Sequence, residues 1–141
     1  MQIVKYMFQP HGDERGMFVA LEEFNDIPFR IKRVYYMYDT VEGVVRGHHA
    51  HKRLEQILIC IHGKCKIRLD NGSEKKVVLL EKPYEGLYIA HAMWREMYDF
   101  SPDAVLMVLA SEVYDESDYI RDYDEFLRMV NEGRTSAAPK N

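Results

Sequence analysis

Short stretches of β-branched and aromatic residues, divided by turn signals, run through most of this chain and limit what it can fold into. Residues 32–39, 54–61 and 64–69 all have this composition. Asp70-Asn71-Gly72 follows the third stretch, and an Asn-Gly pair supplies the positive φ values that a tight hairpin turn requires. Strands this short and this regularly spaced predict an all-β barrel or sandwich.

One amphipathic helix is predicted near the C-terminus. Ser117 or Asp118 can serve as its N-cap, and Gly133 is its predicted end. Apolar residues follow the cap at three- and four-residue spacing, as one helical face requires: Tyr119, Ile120, Tyr123, Phe126, Leu127 and Val130. The sequence predicts one domain over residues 1–132 and a flexible tail over residues 133–141, which are small and polar.

Charge and composition narrow the classes of ligand and compartment. A formal net charge of −4 argues against a nucleic-acid-binding domain. Between Pro28 and Arg68, however, nine Lys/Arg stand against three Asp/Glu, which suits an anionic small ligand or a solvated surface. No stretch reaches the roughly 18 apolar residues of a membrane span. Two cysteines, Cys60 and Cys65, make no disulfide framework, so we expect a reducing, cytoplasmic compartment.

The richest chemistry lies in the segment RGHHAHKRLE, residues 46–55. On an extended strand, side chains alternate between two faces, so His49 and His51 should share one face. Continuing the alternation predicts the same face for four further residues: Glu55, Ile57, Ile59 and Ile61. Two imidazoles near a carboxylate can bind a metal or transfer protons near neutral pH, or they can be plain surface histidines.

The spacing Gly43-x5-His49-x-His51-x3-Glu55-x7-Gly63 resembles the first motif of the cupin superfamily. This resemblance implies a double-stranded β-helix, or jelly-roll barrel, carrying the C-terminal amphipathic helix. In many cupins the two histidines and the glutamate bind a metal together with a further histidine, and here Arg95 stands in the place of that histidine. A fixed cation repels a divalent ion, so we expect no metal and no cofactor. A metal-dependent cupin such as a dioxygenase stays open as an alternative.

Four segments in order, KRVYY, RGHHAHK, WREM and YDESDYIRDYDEF, resemble the dTDP-sugar 3,4-ketoisomerases over about residues 12 to 126. The resemblance implies an isomerase that moves the carbonyl of dTDP-4-keto-6-deoxyglucose from C4′ to C3′ without a redox cofactor. It implies that His49 is the base at C3′ and that His51 carries protons between the two oxygens. Tyr35, which should share a strand face with Arg33 and Met37, is the implied further acid or hydrogen-bond partner.

The resemblance also implies a set of substrate-binding residues. Arg33 and Arg46 suit a diphosphate or an enediolate oxygen, and Gln56 suits the sugar or thymine. The positions of Arg15 and Arg95 differ between family branches that set opposite configurations at C4′. Galacto-type members pair Arg with His there, and gluco-type members pair Tyr with Arg. This chain matches neither pairing, so the product configuration stays open, with the galacto product favoured.

The resemblance further implies a homodimer in which N-terminal strands cross to the partner, and the alternating residues 3–8 are the candidate exchanged strand. Two other readings stay open. One is a 3,5-epimerase-like cupin, which would use one histidine base with an aspartate partner. The other is a cupin that binds a nucleotide sugar without catalysing a reaction on it.

Overall fold

A computed structural model describes residues 1–137, and most of its regular structure is antiparallel β-sheet. The elements are β1 (Val4–Met7), β2 (His11–Asp13), β3 (Gly16–Phe18), β4 (Arg33–Met37), β5 (Arg46–His51), β6 (Gln56–His62), β7 (Cys65–Asp70), β8 (Lys75–Leu80), β9 (Glu85–Ile89), β10 (Trp94–Tyr98), β11 (Val105–Ala110), a short 3₁₀ helix (Glu116–Asp118), β12 (Tyr119–Ile120) and α1 (Tyr123–Ala137).

Two five-stranded sheets form the barrel. The first sheet has the order β1-β9-β6-β11-β4 and the second the order β12-β5-β10-β7-β8, while β2 and β3 form a separate hairpin. Their inward-facing side chains make the main core, with Leu58 and Leu106 from the first sheet meeting Ile67 and Met97 from the second. This arrangement confirms the predicted all-β jelly-roll barrel with one C-terminal helix.

The outer face of each sheet is covered by a different part of the chain. Phe8, Ile27 and Phe29 of the N-terminal region pack on the first sheet. Helix α1 packs on the second sheet, where Phe126 is fully buried beside Trp94. The chain therefore has three apolar layers, and the barrel interior lies between the two sheets.

The predicted start and end of the helix are both wrong. Tyr119 and Ile120 pair with His51 and Ala50 of β5 as strand β12, because edge pairing with the second sheet satisfies their backbone groups. The helix begins at Tyr123 and continues past Gly133 to Ala137. Its N-cap is Asp122, whose carboxylate accepts a hydrogen bond from the Glu125 backbone N–H.

Other sequence predictions on the fold have mixed outcomes. The hairpin at Asp70-Asn71-Gly72 is confirmed, because β7 and β8 pair on either side of it. Of the two positions expected to have positive φ, only Gly72 does, at +94°. The predicted tail over residues 133–141 begins inside α1, and residues 138–141 lie outside the described residues. No described helix is long and apolar enough to cross a membrane.

Candidate active site

A cavity of about 320 Å³ opens between strand β4 of the first sheet and strands β5, β10 and β12 of the second. Its wall is made by basic, aromatic and methionine side chains together with one glycine: Arg33, Tyr35, Met37, Arg46, Gly47, His49, Met97, Tyr119 and Arg121. Three of these residues are arginines and, in the described part of the chain, none of the lining residues is acidic. The cavity is therefore suited to an anion.

A β-bulge in β5 aims two different functional groups into this cavity. His49 pairs with Arg95 and Gly47 with Glu96, so His48 is an extra residue without a partner in β10. Gly47 and His48 both have positive φ, +94° and +53°. A side chain at Gly47 would bring its Cβ to 2.9 Å from the Arg95 carbonyl oxygen, so the close approach requires glycine. Because of the extra residue, Arg46 and His49 line the same cavity although they are three residues apart.

The two histidines lie side by side, as the sequence predicts. Their ring centroids are 4.9 Å apart. The Nδ1 of His49 lies 2.9 Å from the Gly47 carbonyl oxygen, and the Nδ1 of His51 lies 3.1 Å from Asp118 Oδ2. Since both partners are acceptors, we assign the proton to Nδ1 in each ring. The Nε2 atoms are buried without a hydrogen-bond partner in the described structure, so both are bare bases.

A fully buried arginine lies beneath the histidines. Arg95 is 0% exposed, and it donates to the Met93 carbonyl oxygen at 3.1 and 3.0 Å and to the Gln56 side-chain oxygen. Gln56 in turn donates to the Tyr35 hydroxyl at 2.9 Å. Burial lowers the pKa of Arg95 to about 10, so the guanidinium remains charged at pH 7. The chain of hydrogen bonds fixes the Tyr35 hydroxyl at the cavity wall.

Burial and this buried cation keep both imidazoles neutral. Burial, followed by the charge of Arg95, lowers the pKa of His49 to about 4 and that of His51 to about 2. Burial also raises the pKa of Tyr35, which therefore holds its proton at neutral pH. The resting site thus presents two proton acceptors and one proton donor.

Most of the predicted site residues gather here, at two depths. Arg33, Tyr35, Arg46 and His49 line the cavity, while the other members lie buried behind this wall: His51, Gln56 and Arg95. The prediction that Tyr35 shares a face with Arg33 and Met37 is confirmed.

Arg15 does not reach this cavity in its own chain. It lies at the tip of the β2–β3 hairpin, its side chain is 85% exposed, and it pairs with Asp13. Glu55 is also misplaced in the prediction, because the chain leaves the strand between His51 and Gln56 and the alternation restarts there. Gln56 therefore faces inward, and Glu55 contacts the Tyr88 hydroxyl instead.

Sequence reasoning missed three residues of the site. The Tyr119 ring lies 5.0 Å from the His49 ring and 4.4 Å from the His51 ring, and the Arg121 guanidinium lies 4.3 Å over Tyr119. Asp118 holds His51. All three occur in the segment YDESDYIRDYDEF, which was informative as a motif but was interpreted as a helix. Five consecutive polar or aromatic residues before the helical stripe, residues 114–118, were the available signal.

The residues present do not fit a metal. Arg95 places a fixed positive charge against the two histidines, and no group of three His, Cys, Asp or Glu among the described residues is arranged to hold an ion. A small jelly-roll barrel with paired neutral histidines beside a cationic cavity defines a class of protein: a cupin-type enzyme that moves protons on an anionic substrate.

Comparison with known proteins identifies the family. The family described as "FdtA: WxcM-like, C-terminal" has a model that matches residues 1–131. A TDP-4-oxo-6-deoxy-alpha-D-glucose-3,4-oxoisomerase from Aneurinibacillus thermoaerophilus is 53% identical over 118 residues, covering 84% of this chain and 85% of the relative. The chain therefore belongs to the FdtA family of sugar 3,4-ketoisomerases, and it is an isomerase.

Solved structures agree with this assignment. A 3,4-ketoisomerase from Helicobacter canadensis has a TM-score of 0.90 at 53% identity, covering 93% of this chain and 98% of that one. The sugar 3,4-ketoisomerase QdtA from Thermoanaerobacterium thermosaccharolyticum, solved with TDP, has a TM-score of 0.90 at 45% identity, covering 92% and 95%. A histidine-to-asparagine variant of QdtA was solved with TDP-4-keto-6-deoxyglucose.

Proposed function

We propose that this protein converts dTDP-4-keto-6-deoxyglucose into the corresponding dTDP-3-keto-6-deoxyhexose. The observation that carries the proposal is the pair of neutral histidines with bare Nε2 atoms at a cavity lined by three arginines. The reaction moves a carbonyl between neighbouring carbons through an enediol, so it needs bases and a place for negative charge, and it needs no oxidant. Two relatives that are each 53% identical to this chain carry names of this activity.

We assign the proton transfers as follows. His49, which lines the cavity, takes the C3′ proton on Nε2, and C4′ is then reprotonated. His51 carries a proton between the C3′ and C4′ oxygens. Tyr35, held by Gln56, is the further acid or hydrogen-bond donor to the developing oxyanion. The buried charge of Arg95 lies behind these groups and favours the enediolate over the neutral ketone.

We assign the nucleotide end of the substrate to the arginines. The Nε and Nη2 atoms of Arg33 are buried without a hydrogen-bond partner in the described structure, and two parallel N–H groups match a phosphate. Arg46 lies across the same cavity. Arg121 also faces it and is held by Glu116 at 2.7 and 2.9 Å, so its charge is partly neutralised before a ligand binds.

The direct test is incubation with dTDP-4-keto-6-deoxyglucose in D₂O, followed by NMR of the product. We expect the C3′-ketone with deuterium at C4′. A parallel reaction in H₂O gives the H4′–H5′ coupling, which distinguishes the galacto from the gluco product. The reaction should proceed equally in EDTA, because the site does not fit a metal. Deuterium at C5′ would instead indicate a 3,5-epimerase. Tight binding without exchange would indicate a non-catalytic binding protein.

We further propose a homodimer in which the β2–β3 hairpin contacts a second copy. Strand β1, within the predicted exchanged residues 3–8, pairs with β9 of its own chain, whereas the β2–β3 hairpin joins neither large sheet. Met17 and Phe18 are exposed on it beside an apolar cavity of about 440 Å³. In such a dimer, Arg15 at the tip would serve the substrate site of the partner, which agrees with its predicted binding role.

Sedimentation velocity tests the dimer. The wild type should sediment as a dimer, and the double variant Met17→Ser/Phe18→Ser should dissociate at concentrations where the wild type does not. Val77→Ser/Leu79→Ser is the matched control, because both residues are exposed apolar side chains on edge strand β8. A monomeric wild type, or equal dissociation of both double variants, would contradict the hairpin interface.

The place of the reaction in metabolism follows from its product. A 3-keto sugar is the acceptor that an amino-group transfer requires, so we propose that the enzyme serves dTDP-3-amino-sugar biosynthesis for a surface polysaccharide such as lipopolysaccharide or for a glycosylated metabolite. We propose the cytoplasm as its compartment, because Cys60 and Cys65 are both free thiols in the barrel core.

A further inference from the structure

The carboxylate of Asp118, at the end of the short 3₁₀ helix, is held by several hydrogen bonds. It is buried, and it accepts hydrogen bonds from the Arg53 backbone N–H at 2.8 Å and the Leu54 backbone N–H at 3.3 Å. The Nδ1 of His51 is its third donor, at 3.1 Å. Its backbone carbonyl accepts a further bond from the Lys52 N–H at 2.9 Å. Three donors therefore surround one carboxylate.

This arrangement determines which nitrogen of His51 carries the proton. A carboxylate can only accept, so Nδ1 must donate and Nε2 must hold a lone pair. That Nε2 is one of the buried atoms without a partner in the described structure. The partner of His49 is different, because Nδ1 of His49 donates to a neutral backbone carbonyl, that of Gly47.

A residue that carries a proton between two oxygens must accept it at a bare nitrogen and release it again. A neighbouring carboxylate maintains the accepting tautomer and stabilises the transient imidazolium, which the nearby Arg95 charge disfavours. We propose that Asp118 is a positioning residue that keeps His51 in the Nδ1–H tautomer and so makes it competent as the proton carrier. The expected effect on the rate rests on the proposed ketoisomerase function, whereas the expected tautomer of His51 does not.

Asp118 also anchors the connection between β5 and β6, so the test must separate a tautomer effect from a folding effect. Nitrogen-15 NMR of the ligand-free protein reads the tautomer directly. We expect His51 of the wild type to show a protonated Nδ1 and a bare Nε2. In Asp118→Asn the side-chain amide can donate toward Nδ1, so we expect the Nε2–H tautomer. A wild-type His51 protonated at Nε2, or an unchanged tautomer in the folded variant, would overturn the proposal.

Kinetics give the second readout. Asp118→Asn should slow isomerisation by about 10–100-fold, the usual cost of losing a supporting partner, with TDP affinity unchanged. In the His51→Asn background the same substitution should cost less than about 2-fold, because its effect passes through His51. An equal cost in both backgrounds would assign Asp118 to a purely structural role and overturn the inference.

Asp115→Asn is the matched control. It removes the same charge three residues away, where Asp115 is exposed and bonds Ser117 and Arg53 rather than His51. This control should leave both the tautomer and the rate as in the wild type. If the protein proved inactive on the keto sugar, the proposed function would fail while the NMR result still decided the tautomer.

Discussion

His49→Asn is expected to lower turnover by about 10²–10⁴-fold, the usual cost of removing a general base. Asparagine keeps a polar side chain at the cavity wall, but it has no nitrogen that accepts a proton near pH 7. The measurement is deuterium uptake at C3′ of substrate recovered from D₂O, together with kcat. His51→Asn should slow isomerisation while still allowing exchange at C3′, because His49 remains in place.

His48→Asn is the matched control for the first experiment. His48 is the adjacent histidine of the same strand, but the bulge turns it outward and its side chain is 56% exposed. Its replacement should leave exchange and turnover within about 2-fold of the wild type. Exchange at C3′ at the wild-type rate in His49→Asn would show that His49 is not the base.

The double variant Arg33→Met/Arg46→Met should bind TDP at least about 10²-fold more weakly than the wild type. Methionine keeps much of the aliphatic length and removes the charge, so the diphosphate loses two charge-assisted partners in a partly buried site. Truncating one partner of a buried charge pair costs about 2–5 kcal/mol of binding free energy. A change of about 1.4 kcal/mol corresponds to a tenfold change in affinity. Isothermal titration calorimetry with TDP measures the effect without depending on turnover.

Arg30→Met/Arg128→Met removes the same net charge from exposed positions that do not line the cavity. Comparing the two double variants separates specific phosphate binding from the general loss of positive potential. TDP affinities that fell equally in both variants would mean that the phosphates bind elsewhere.

The parts of the fold that depend on local alternation were predictable from the sequence. Arg33, Tyr35 and Met37 share a face because a regular strand has a period of two, and the same rule places His49 beside His51. The hairpin at Asp70-Asn71-Gly72 was also predictable, because a tight turn depends on the residues within it. These features need no knowledge of distant segments.

The parts that failed depend on partners far along the chain. Tyr119 and Ile120 fit a helical stripe, but backbone pairing with β5, about 70 residues earlier, draws them into a strand. The sequence predicts Ser117 or Asp118 as a helix cap, whereas the Asp118 carboxylate bonds His51, Arg53 and Leu54. The turn after His51 reset the alternation and exchanged the roles of Glu55 and Gln56. A single sequence carries no signal for these long-range pairings.

The extra residue in β5 has a consequence for how the site can change during evolution. Arg46 and His49 line the same cavity because one unpaired residue lies between them. In the proposed substrate orientation, Arg46 faces the nucleotide and His49 faces the sugar. Point substitutions can therefore retune recognition at position 46 without disturbing chemistry at position 49. Deleting His48 would restore regular pairing and turn Arg46 to the opposite face of β5, so the loss of a single codon would remove Arg46 from the cavity and leave His49 in place.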